Sequence, residues 1–304
     1  MTASTKDGVA LSLSSLIASL ETSLSRAGIS SARVEAEILT GHVLGLKRTD
    51  LYLLGDEKVP DRERARIMEL AARRLRRYPL QYIIGECEFM SIEFAVREGV
   101  FIPRPETEVL VESVAERAGA WKRKPHTLLE LGTGCGVISI SLAREMGDLR
   151  VVATDISPDA VETARANAAR YGVENRMRFV VGDGISFLKE GGREGGDKGM
   201  WRSFDIFVCN PPYVATSQID GLEPEVRDHE PRAAVDGGGD GLEFMRRIIP
   251  GLPSMMSGGA LLALEIAPDQ GEAVSRLLAR AGGVEIEVIK DLSSRDRVVI
   301  ARMA

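Results

Sequence analysis

Apolar residues recur at spacings of three and four through the first part of the chain. Such spacing places the side chains on one face of an α-helix. The pattern predicts three helices, the first ending at Gly28 and the third beginning with Asp61 as its N-cap, behind Pro60. The three apolar stripes are Leu13, Leu16, Ile17, Leu20 and Leu24; Val34, Ile38, Leu39 and Val43; and Ile67, Leu70, Ala71 and Leu75. Residues 1–76 are therefore expected to form a small helical domain.

A cluster of arginines ends the third predicted helix and comprises Arg73, Arg74, Arg76 and Arg77. Because cations are favoured near a helix C-terminus, we interpret the cluster as a solvated helix face. A surface that contacts a partner is the alternative.

The pattern changes after Pro79. Ile92, Phe94 and Val96 alternate with polar or small residues, which is typical of a half-buried strand. We expect residues 77–105 to link two domains.

From Thr107 onward, helical segments alternate with short apolar runs, which predicts βαβ units and a mostly parallel sheet with helices on both faces. The last two runs are too close together for a helical crossover, so they predict an antiparallel hairpin. A Gly-rich stretch, Gly191–Gly199, is expected to be a flexible surface loop before the fourth strand. The runs are Thr127–Leu131, Val151–Thr154, Arg178–Val181, Phe204–Cys209, Ala260–Glu265, Val284–Ile289 and Val298–Ala301.

Composition narrows the class of protein. The formal net charge is -6, which argues against a surface that holds nucleic-acid backbones without sequence preference. The three cysteines, Cys87, Cys135 and Cys209, are widely spaced, so we expect reduced thiols, no metal site and a cytoplasmic location. The N-terminus lacks a basic leader, and no apolar run is long enough to cross a membrane.

A glycine turn follows the first of the parallel strands. Gly132, Thr133, Gly134, Cys135 and Gly136 come after a buried run and precede a helix that opens at Val137. Alone, this turn also fits a structural turn or another nucleotide site. The turn lacks the G-x-G-x-x-G spacing preferred for dinucleotides, and no phosphate-binding P-loop follows any strand. S-adenosylmethionine has a ribose and an adenine but no phosphates, so it fits this turn better than a dinucleotide does.

Acidic residues end the next two predicted strands. Asp155 is placed to accept both ribose hydroxyls of a nucleoside, although it could instead cap the helix near Pro158. Asp183 is placed to meet the adenine amino group, or else to cap a loop.

The most specific motif, Asn210-Pro211-Pro212-Tyr213, follows the run Phe204–Cys209. Two prolines remove two backbone donors and stiffen the turn, leaving carbonyl acceptors and the Asn210 side chain at the strand end. We expect Asn210 and the Pro211 carbonyl to accept the two N–H bonds of an NH2 group, with Tyr213 packed on its flat face. Out of context the tetrapeptide would be a rigid turn without function.

The bound NH2 group would receive the methyl group of S-adenosylmethionine. The nitrogen of an amide or an aromatic amine is a poor nucleophile because its lone pair is delocalised. Catalysis must therefore come from holding this nitrogen in line with the bond between the methyl group and the sulfonium. No general base is required beforehand, because the methylated nitrogen is acidic. None of the three histidines, His42, His126 and His229, lies in these motifs.

With these motifs, the whole chain resembles the PrmC family, also called HemK, which methylates the glutamine of the Gly-Gly-Gln motif in class I peptide release factors. The resemblance runs nearly end to end. Its most specific segments, besides the two active-site motifs, are Tyr78–Gly85 with Glu88 and Phe89, Phe101–Glu108, Glu230 with Pro231, and Gly237–Leu242.

The resemblance implies an α/β fold: a seven-stranded, Rossmann-like class I methyltransferase domain at residues 106–304, with an antiparallel final hairpin. The helical domain at 1–76 would dock the release factor, and a β-hairpin at 77–105 would link it to the catalytic domain. We expect the protein to act as a monomer. The Pro103–Glu106 loop would lie close to the cofactor, or else serve as a linker. By the same resemblance, the residues that would bind S-adenosylmethionine, whose product is S-adenosylhomocysteine, are Gly132, Thr133, Gly134, Cys135, Gly136, Asp155 and Asn210. Asp183 joins this set by its position at a strand end. Asn210, Pro211, Pro212 and Tyr213 would hold the glutamine amide.

The chain departs from the family pattern at three positions. Cys135 replaces a small hydroxyl residue, Gly184 replaces an aromatic residue after the third-strand acid, and Ser294 replaces a glycine near the final hairpin. Adenine stacking by position 184 is therefore not expected.

Two other functions remain open at this stage. A methyltransferase acting on the amine of adenine or guanine would use the same two acceptors for a flipped base, but it needs a nucleic-acid recognition element. A non-catalytic S-adenosylmethionine-binding protein need not keep both Asp155 and Asn210.

Overall fold

The computed structural model describes residues 11–121, 125–184 and 203–304, so the predicted loop Gly191–Gly199 lies outside the described residues. The chain divides into two compact units. The helical unit comprises the residues up to Gly85 together with Pro224–His229, and the sheet unit comprises the rest. The first segment of the helical unit thus extends nine residues beyond the end at residue 76 that the sequence predicts, into the predicted linker at 77–105.

Described helices and strands follow in chain order, apart from short 3₁₀ turns. The helices are α1 (Leu13–Arg26), α2 (Ala32–Leu44), α3 (Arg48–Leu53), α4 (Asp61–Arg74), α5 (Leu80–Ile84), α6 (Glu108–Gly119), α7 (Val137–Glu145), α8 (Pro158–Arg170), α9 (Pro224–His229), α10 (Glu243–Ile248) and α11 (Gly271–Arg280). The strands are β1 (Glu86–Phe89), β2 (Ile92–Ala95), β3 (Thr127–Leu131), β4 (Arg150–Asp155), β5 (Met177–Val181), β6 (Phe204–Cys209), β7 (Met256–Glu265), β8 (Gly283–Lys290) and β9 (Asp296–Met303).

Helix α1 buries the stripe that its spacing predicts. All five apolar residues of that stripe are buried. Ser12 caps the helix by accepting a hydrogen bond from the Ser15 backbone N–H at 3.3 Å. Gly28 follows the end of the helix with a φ of +78°, a left-handed conformation that favours glycine.

The apolar stripe predicted for α2 is wrong in part. Val34 is exposed, whereas Glu35 and Glu37 are buried. Both acids face inward because each has a cationic partner: Glu35 pairs with Arg74 at 2.5 Å, and Glu37 pairs with Arg48 at 2.7 Å. A buried charge persists only when it is paired in this way, and the apolar pattern alone did not reveal the partners.

Helix α4 corrects two further predictions. Pro60 is the N-cap and Asp61 is the first helical residue, so the cap lies one residue earlier than expected. The solvated interpretation of the arginine cluster is wrong for Arg74, which is buried and also pairs with Glu225 of α9 at 2.6 Å. Arg77 pairs with the same carboxylate at 2.7 Å. These ion pairs hold α9 within the helical unit.

The sheet unit contains a two-stranded hairpin, β1–β2, and a seven-stranded sheet in the order β5-β4-β3-β6-β7-β9-β8. Strands β3 to β7 pair in parallel, whereas β9 is antiparallel to both β7 and β8. Each predicted strand is present, and the parallel sheet and the antiparallel final hairpin are confirmed.

Both faces of the sheet are covered. Leu128, Ile206 and Val208 belong to one buried cluster, which includes Phe89 and Phe94 of the hairpin. The alternate strand residues, such as Leu129 and Phe207, belong to a second cluster on the other side. This alternation explains why the strands are continuous apolar runs.

Within the described residues, every helix is too short or too polar to cross a lipid bilayer. The same part of the chain has no group of three or more His, Cys, Asp or Glu side chains arranged to hold a metal ion.

Candidate active site

The parallel register brings the predicted motifs to one edge of the sheet. Leu131, the last residue of β3, is aligned with Thr154 of β4 on one side and with Cys209 of β6 on the other. The glycine turn, Asp155 and Asn210 follow these three residues, so they are neighbours at the carboxyl ends of the strands. The strand order reverses between β3 and β6, which is where open α/β sheets bind ligands.

The glycine turn needs its glycines for two different reasons. Gly132, Gly134 and Gly136 all have positive φ angles, of 71°, 56° and 89°. At Gly136 a Cβ would lie 2.7 Å from Ile140 Cδ1, so this glycine permits close packing against α7. At Gly134 a Cβ would meet nothing within 4 Å, so that position faces open space. The turn thus exposes its backbone to a ligand.

Asp155 connects the turn to the next helix. Its carboxylate accepts hydrogen bonds from the Gly134 N–H and the Ser157 N–H, both at 2.9 Å. Burial raises the pKa of this carboxyl, against the effect of the two N–H donors. Ser157, not Asp155, caps α8 by accepting from the Ala160 N–H. A carboxylate has about four acceptor positions, so lone pairs remain for further donors.

Asp183 has a partner that the sequence analysis did not anticipate. Its carboxylate pairs with Arg247 at 2.7 Å, and both side chains are about half exposed. Gly184 next to it has a φ of +57°, and a Cβ there would lie 3.6 Å from Ile248 Cγ2. A larger residue at this position would therefore be strained.

The side chains of Cys135 and Thr133 contact other buried groups of the protein. The adjacent Cys87 thiol and burial raise the pKa of Cys135, and its carbonyl accepts from Asn167 Nδ2 at 2.8 Å. The Thr133 hydroxyl donates to the buried Glu130 carboxylate at 2.5 Å. Both side chains are almost fully buried.

The Asn210 side chain is oriented by Thr107. Its Nδ2 donates to Thr107 Oγ1 at 3.1 Å. Among the described residues, no donor contacts Asn210 Oδ1, which leaves this oxygen available as an acceptor.

Backbone contacts fix the turn that follows Asn210. The Tyr213 carbonyl accepts from Gln270 Nε2 at 3.0 Å, and the Val214 carbonyl accepts from the Gly237 N–H at 2.8 Å. A Cβ at Gly237 would lie 2.7 Å from the Pro212 carbonyl oxygen, so this glycine packs directly on the turn. The Pro211 carbonyl has no hydrogen-bond partner within the described part of the chain. Two acceptors, Asn210 Oδ1 and the Pro211 carbonyl, thus stay open.

Tyr213 contacts Glu265. Its hydroxyl donates to Glu265 Oε1 at 3.0 Å, and burial together with this carboxylate raises the pKa of Tyr213. Burial also raises the pKa of Glu265 to about 7. Sequence reasoning missed Glu265, although an acid that ends an apolar strand is a visible signal.

The loop before α6 is held by a second buried acid. Glu230 accepts hydrogen bonds from the Ile102 N–H and from Arg104 Nη2. This pairing fixes the loop that carries Pro103 and Thr107, two residues that line the cavity described next.

A cavity of about 950 Å³ occupies this edge of the sheet unit. Its wall brings together all the predicted site residues except Gly136, which packs against Ile140 and Ala164, and Tyr213, which is partly buried. The predicted members of the wall are Gly132, Thr133, Gly134, Cys135, Asp155, Asp183, Asn210, Pro211 and Pro212.

Comparisons with known proteins agree with this geometry. The family profile of the PrmC N-terminal domain matches residues 15–85, and that of the methyltransferase small domain matches residues 92–222. The release factor glutamine methyltransferase of Geobacter sulfurreducens is 38% identical over 92% of this chain and 93% of its own. The enzyme of the same name from Moorella thermoacetica is 40% identical over 91% of this chain and 94% of its own.

A solved structure supports the fold alone. The 16S rRNA methyltransferase RsmC of T. thermophilus, solved with AdoMet and guanosine, is 18% identical, has a TM-score of 0.51, and is matched over 72% of this chain and 50% of its own.

Together, the mixed sheet, the glycine turn and the cavity at the strand ends define a class I methyltransferase fold, which follows a helical N-terminal region in the sequence. Within that class, the chain belongs to the release factor glutamine methyltransferase family.

Proposed function

We propose that this protein transfers a methyl group from S-adenosylmethionine to the side-chain amide nitrogen, N5, of the glutamine in the Gly-Gly-Gln motif of class I peptide release factors. The name of its relatives supports the release factor and the glutamine. The observation that carries the proposal is the pair of open acceptors, Asn210 Oδ1 and the Pro211 carbonyl, at the end of β6. Two fixed acceptors match the two N–H bonds of a primary amide.

The cavity residues fit S-adenosylmethionine. Gly134 faces open space, and a Cβ at Gly132 would point toward the Asn210 carbonyl at 3.8 Å, so side chains here would fill the gap between the two motifs. Asp155 retains lone pairs for ribose hydroxyls, and Asp183 lines the same wall. When bound, the cofactor supplies an electrophilic methyl group on a sulfonium.

The protein's own contribution is positioning. An amide nitrogen attacks poorly because its lone pair is delocalised into the carbonyl group. Acceptors on both N–H bonds orient the nitrogen and stabilise the positive charge that develops on it during transfer. Afterwards the nitrogen is acidic and releases its proton to water, so the site needs no dedicated base.

The helical unit is proposed to dock the release factor, and the enzyme is proposed to act as a cytoplasmic monomer. The separate family profile over residues 15–85 supports a dedicated role for that region. Its exposed apolar side chains, Tyr52, Leu53 and Leu54, are suited to contact with a protein partner.

The test is transfer of labelled methyl from S-adenosylmethionine to a purified class I release factor and to its Gly-Gly-Asn version. We expect label only on the glutamine form. Asn210→Ala should reduce kcat by at least about 100-fold, as loss of one transition-state hydrogen bond does in other enzymes. Gln218→Ala, an exposed change in the same loop, is the control.

Label on RNA or DNA, with none on the release factor, would replace this function with methylation of a nucleobase amine. If the Asn210→Ala enzyme were as active as the wild type, the assignment of the release factor as substrate would still hold. The role of the two acceptors would be refuted.

A further inference from the structure

Two segments that lie far apart in the sequence, residues 101–107 and 230–237, both contribute to the cavity wall at the strand ends. Arg104 of the first and Glu230 of the second are absent from the lining found among the described residues, so neither is placed to touch a ligand there. The side chain of Glu230 is nevertheless only 1% exposed. A carboxylate is costly to bury unless it is paired, so its partners decide what it does.

Glu230 binds the first segment at two points. Its Oε2 accepts a hydrogen bond from the Ile102 N–H at 3.3 Å, and its Oε1 accepts from Arg104 Nη2 in an ion pair. The Arg104 guanidinium also lies over the ring of Phe101, 4.9 Å from the ring centroid, and Phe101 lines the cavity. One buried carboxylate thus holds both the backbone and the cation of this segment.

The first segment is hydrogen-bonded in turn to the start of the Asn210–Tyr213 motif. The Arg104 carbonyl accepts from the Thr107 N–H at 3.1 Å, and Thr107 Oγ1 accepts from Asn210 Nδ2 at 3.1 Å. Hydrogen bonds of this kind are lost beyond about 3.5 Å, so a shift of Thr107 by about 1 Å would release the Asn210 amide. The position of Thr107 therefore decides where that amide is held.

The second segment is joined to the other end of the motif. Val214 is the residue directly after the motif. Its N–H donates to the Val235 carbonyl at 3.1 Å, and its carbonyl accepts from the Gly237 N–H at 2.8 Å. The chain that follows Glu230 thus holds the end of the turn, while the ion pair of Glu230 holds its start.

We propose that Glu230 and Arg104 are positioning residues, whose ion pair sets the Asn210 amide against the methyl acceptor by locking the two cavity segments to each other. This inference rests on the proposed function, because only an acceptor that donates N–H bonds requires a fixed Asn210 oxygen. Cofactor binding depends on the glycine turn and Asp155, which belong to other strands. The effect of the pair should therefore appear in the rate of methyl transfer and not in binding.

The informative substitution is Glu230→Gln. It keeps the size of the side chain and an oxygen acceptor for the Ile102 N–H, and it removes the charge that holds Arg104. We expect kcat for release factor methylation to fall at least about tenfold, because misplacing a catalytic group by about 1 Å costs up to about 100-fold. KM for the release factor and the calorimetric dissociation constant of S-adenosylhomocysteine should stay within about threefold of the wild-type values.

Arg104→Met and Arg117→Met form a matched pair of variants. The two arginine side chains belong to the sheet unit, are 29% and 25% exposed, and each has a carboxylate partner, which for Arg117 is Glu287. Arg117 is not among the described residues that line the cavity. Arg104→Met should lower kcat as Glu230→Gln does, whereas Arg117→Met should leave it unchanged. Arg104→Lys keeps a cation opposite Glu230 but lacks the planar fork, so it should restore part of the rate.

Variants of Thr107 test the path from the ion pair to Asn210. Thr107→Val removes the hydroxyl that holds the amide, so kcat should fall. Adding Glu230→Gln to Thr107→Val should lower kcat by less than about a further threefold, because residues of one relay are not additive. Thr107→Ser keeps the hydroxyl, and in that enzyme Glu230→Gln should have its full effect. A purely structural role of Glu230 would give the same loss in both.

Hydrogen exchange of the Thr107 amide reports on the segment without any turnover. In the wild type this amide is bonded to the Arg104 carbonyl, which should protect it from exchange. Glu230→Gln should speed its exchange at least about tenfold, since the local opening of the segment becomes easier. The amides of β3 should exchange as in the wild type, which would show that the sheet is intact.

The outcomes separate this inference from the proposed function. An inactive wild type would refute the function. An active wild type whose kcat falls less than about threefold in Glu230→Gln and in Arg104→Met would overturn the positioning role. Equal losses from Glu230→Gln in the Thr107→Val and Thr107→Ser enzymes would also overturn it, and this comparison decides even if Arg104→Met fails to fold. Unchanged exchange of the Thr107 amide would refute the hold of Glu230 on the segment.

Discussion

Two buried glutamates of the sheet unit have raised pKa values. Glu130 and Glu265 are both fully buried, and burial raises the pKa of each from 4.5 to about 7. Both groups stand at the ends of strands, where polar donors are close but water is excluded. Their protonation should therefore be visible in the stability of the protein.

For Glu265 the sign follows from its raised pKa. The folded state holds the proton more tightly than the unfolded state, so the contribution to stability is full below pH 4.5 and is lost as pH rises to about 7. Arg297 favours the charged form and Glu106 opposes it, and the Tyr213 hydroxyl donates to the carboxylate at 3.0 Å. We expect Glu265→Gln to gain about 3 kcal/mol relative to wild type between pH 4.5 and pH 8.

Urea unfolding of both proteins across this pH range measures the difference. Glu272→Gln, whose side chain is exposed, should show none. A difference between wild type and Glu265→Gln that stays flat with pH would mean that the carboxyl is charged throughout.

Ser294 carries local backbone strain at the final hairpin. Its φ is +62°, in the left-handed region that favours glycine. Ser294→Gly should raise the free energy of unfolding by up to about 1 kcal/mol, since relief of the left-handed strain exceeds the extra chain entropy of glycine. Ser293→Gly, the neighbouring control, should lower it by about 0.5 kcal/mol. The thermal unfolding temperatures of the two variants measure this difference. Equal shifts of the two temperatures would contradict the inference that Ser294 is strained.

At the scale of elements, the helices and the strands differ in how well their patterns predict them. Strand β3 matches its predicted bounds because a continuous apolar run between turn residues is a local signal. Helix α2 was predicted as an element, but its buried face was not. Glu35 and Glu37 are buried only because Arg74 and Arg48 reach them from other helices.

The buried ion pair of α2 and α4 should stabilise the helical unit. Arg74→Met leaves Glu35 buried without its cation, so we expect a loss of about 3–5 kcal/mol. Arg66→Met breaks an exposed pair with Glu69 and should cost less than about 1 kcal/mol. Hydrogen exchange of the α1 and α4 amides reports this unit separately. Equal effects of Arg74→Met and Arg66→Met on stability would contradict a stabilising role for the buried pair. The Glu35→Leu, Arg74→Met double variant removes both charges, so it should recover part of the stability that Arg74→Met loses.

At the scale of the whole molecule, a dedicated docking unit would separate binding of the release factor from the chemistry on its glutamine. Leu53 of α3 is 84% exposed, and Leu292 in the sheet unit is fully exposed. Neither side chain contributes to a core, so changing either should leave stability intact. These two leucines therefore provide a matched comparison.

We expect Leu53→Glu to raise KM for an intact release factor several-fold, because a charge replaces an apolar contact. KM for a short Gly-Gly-Gln peptide should be unchanged, since the peptide occupies only the cavity. Leu292→Glu should change neither value. Steady-state kinetics with both substrates would show whether Leu53 belongs to the docking surface, and a normal KM for the intact factor would exclude it.

The sequence by itself determined the order of elements, the glycine turn, Asp155 and the Asn210–Tyr213 motif at the strand ends. These depend on periodicity, glycine and proline, which act over a few neighbouring residues. Only the tertiary structure decided the partners: Thr107 beside Asn210, Glu265 behind Tyr213, and Gln270 on the Tyr213 carbonyl. Thr107 and Asn210 are 103 residues apart. Strand register and packing bring them together, and no local pattern encodes that contact.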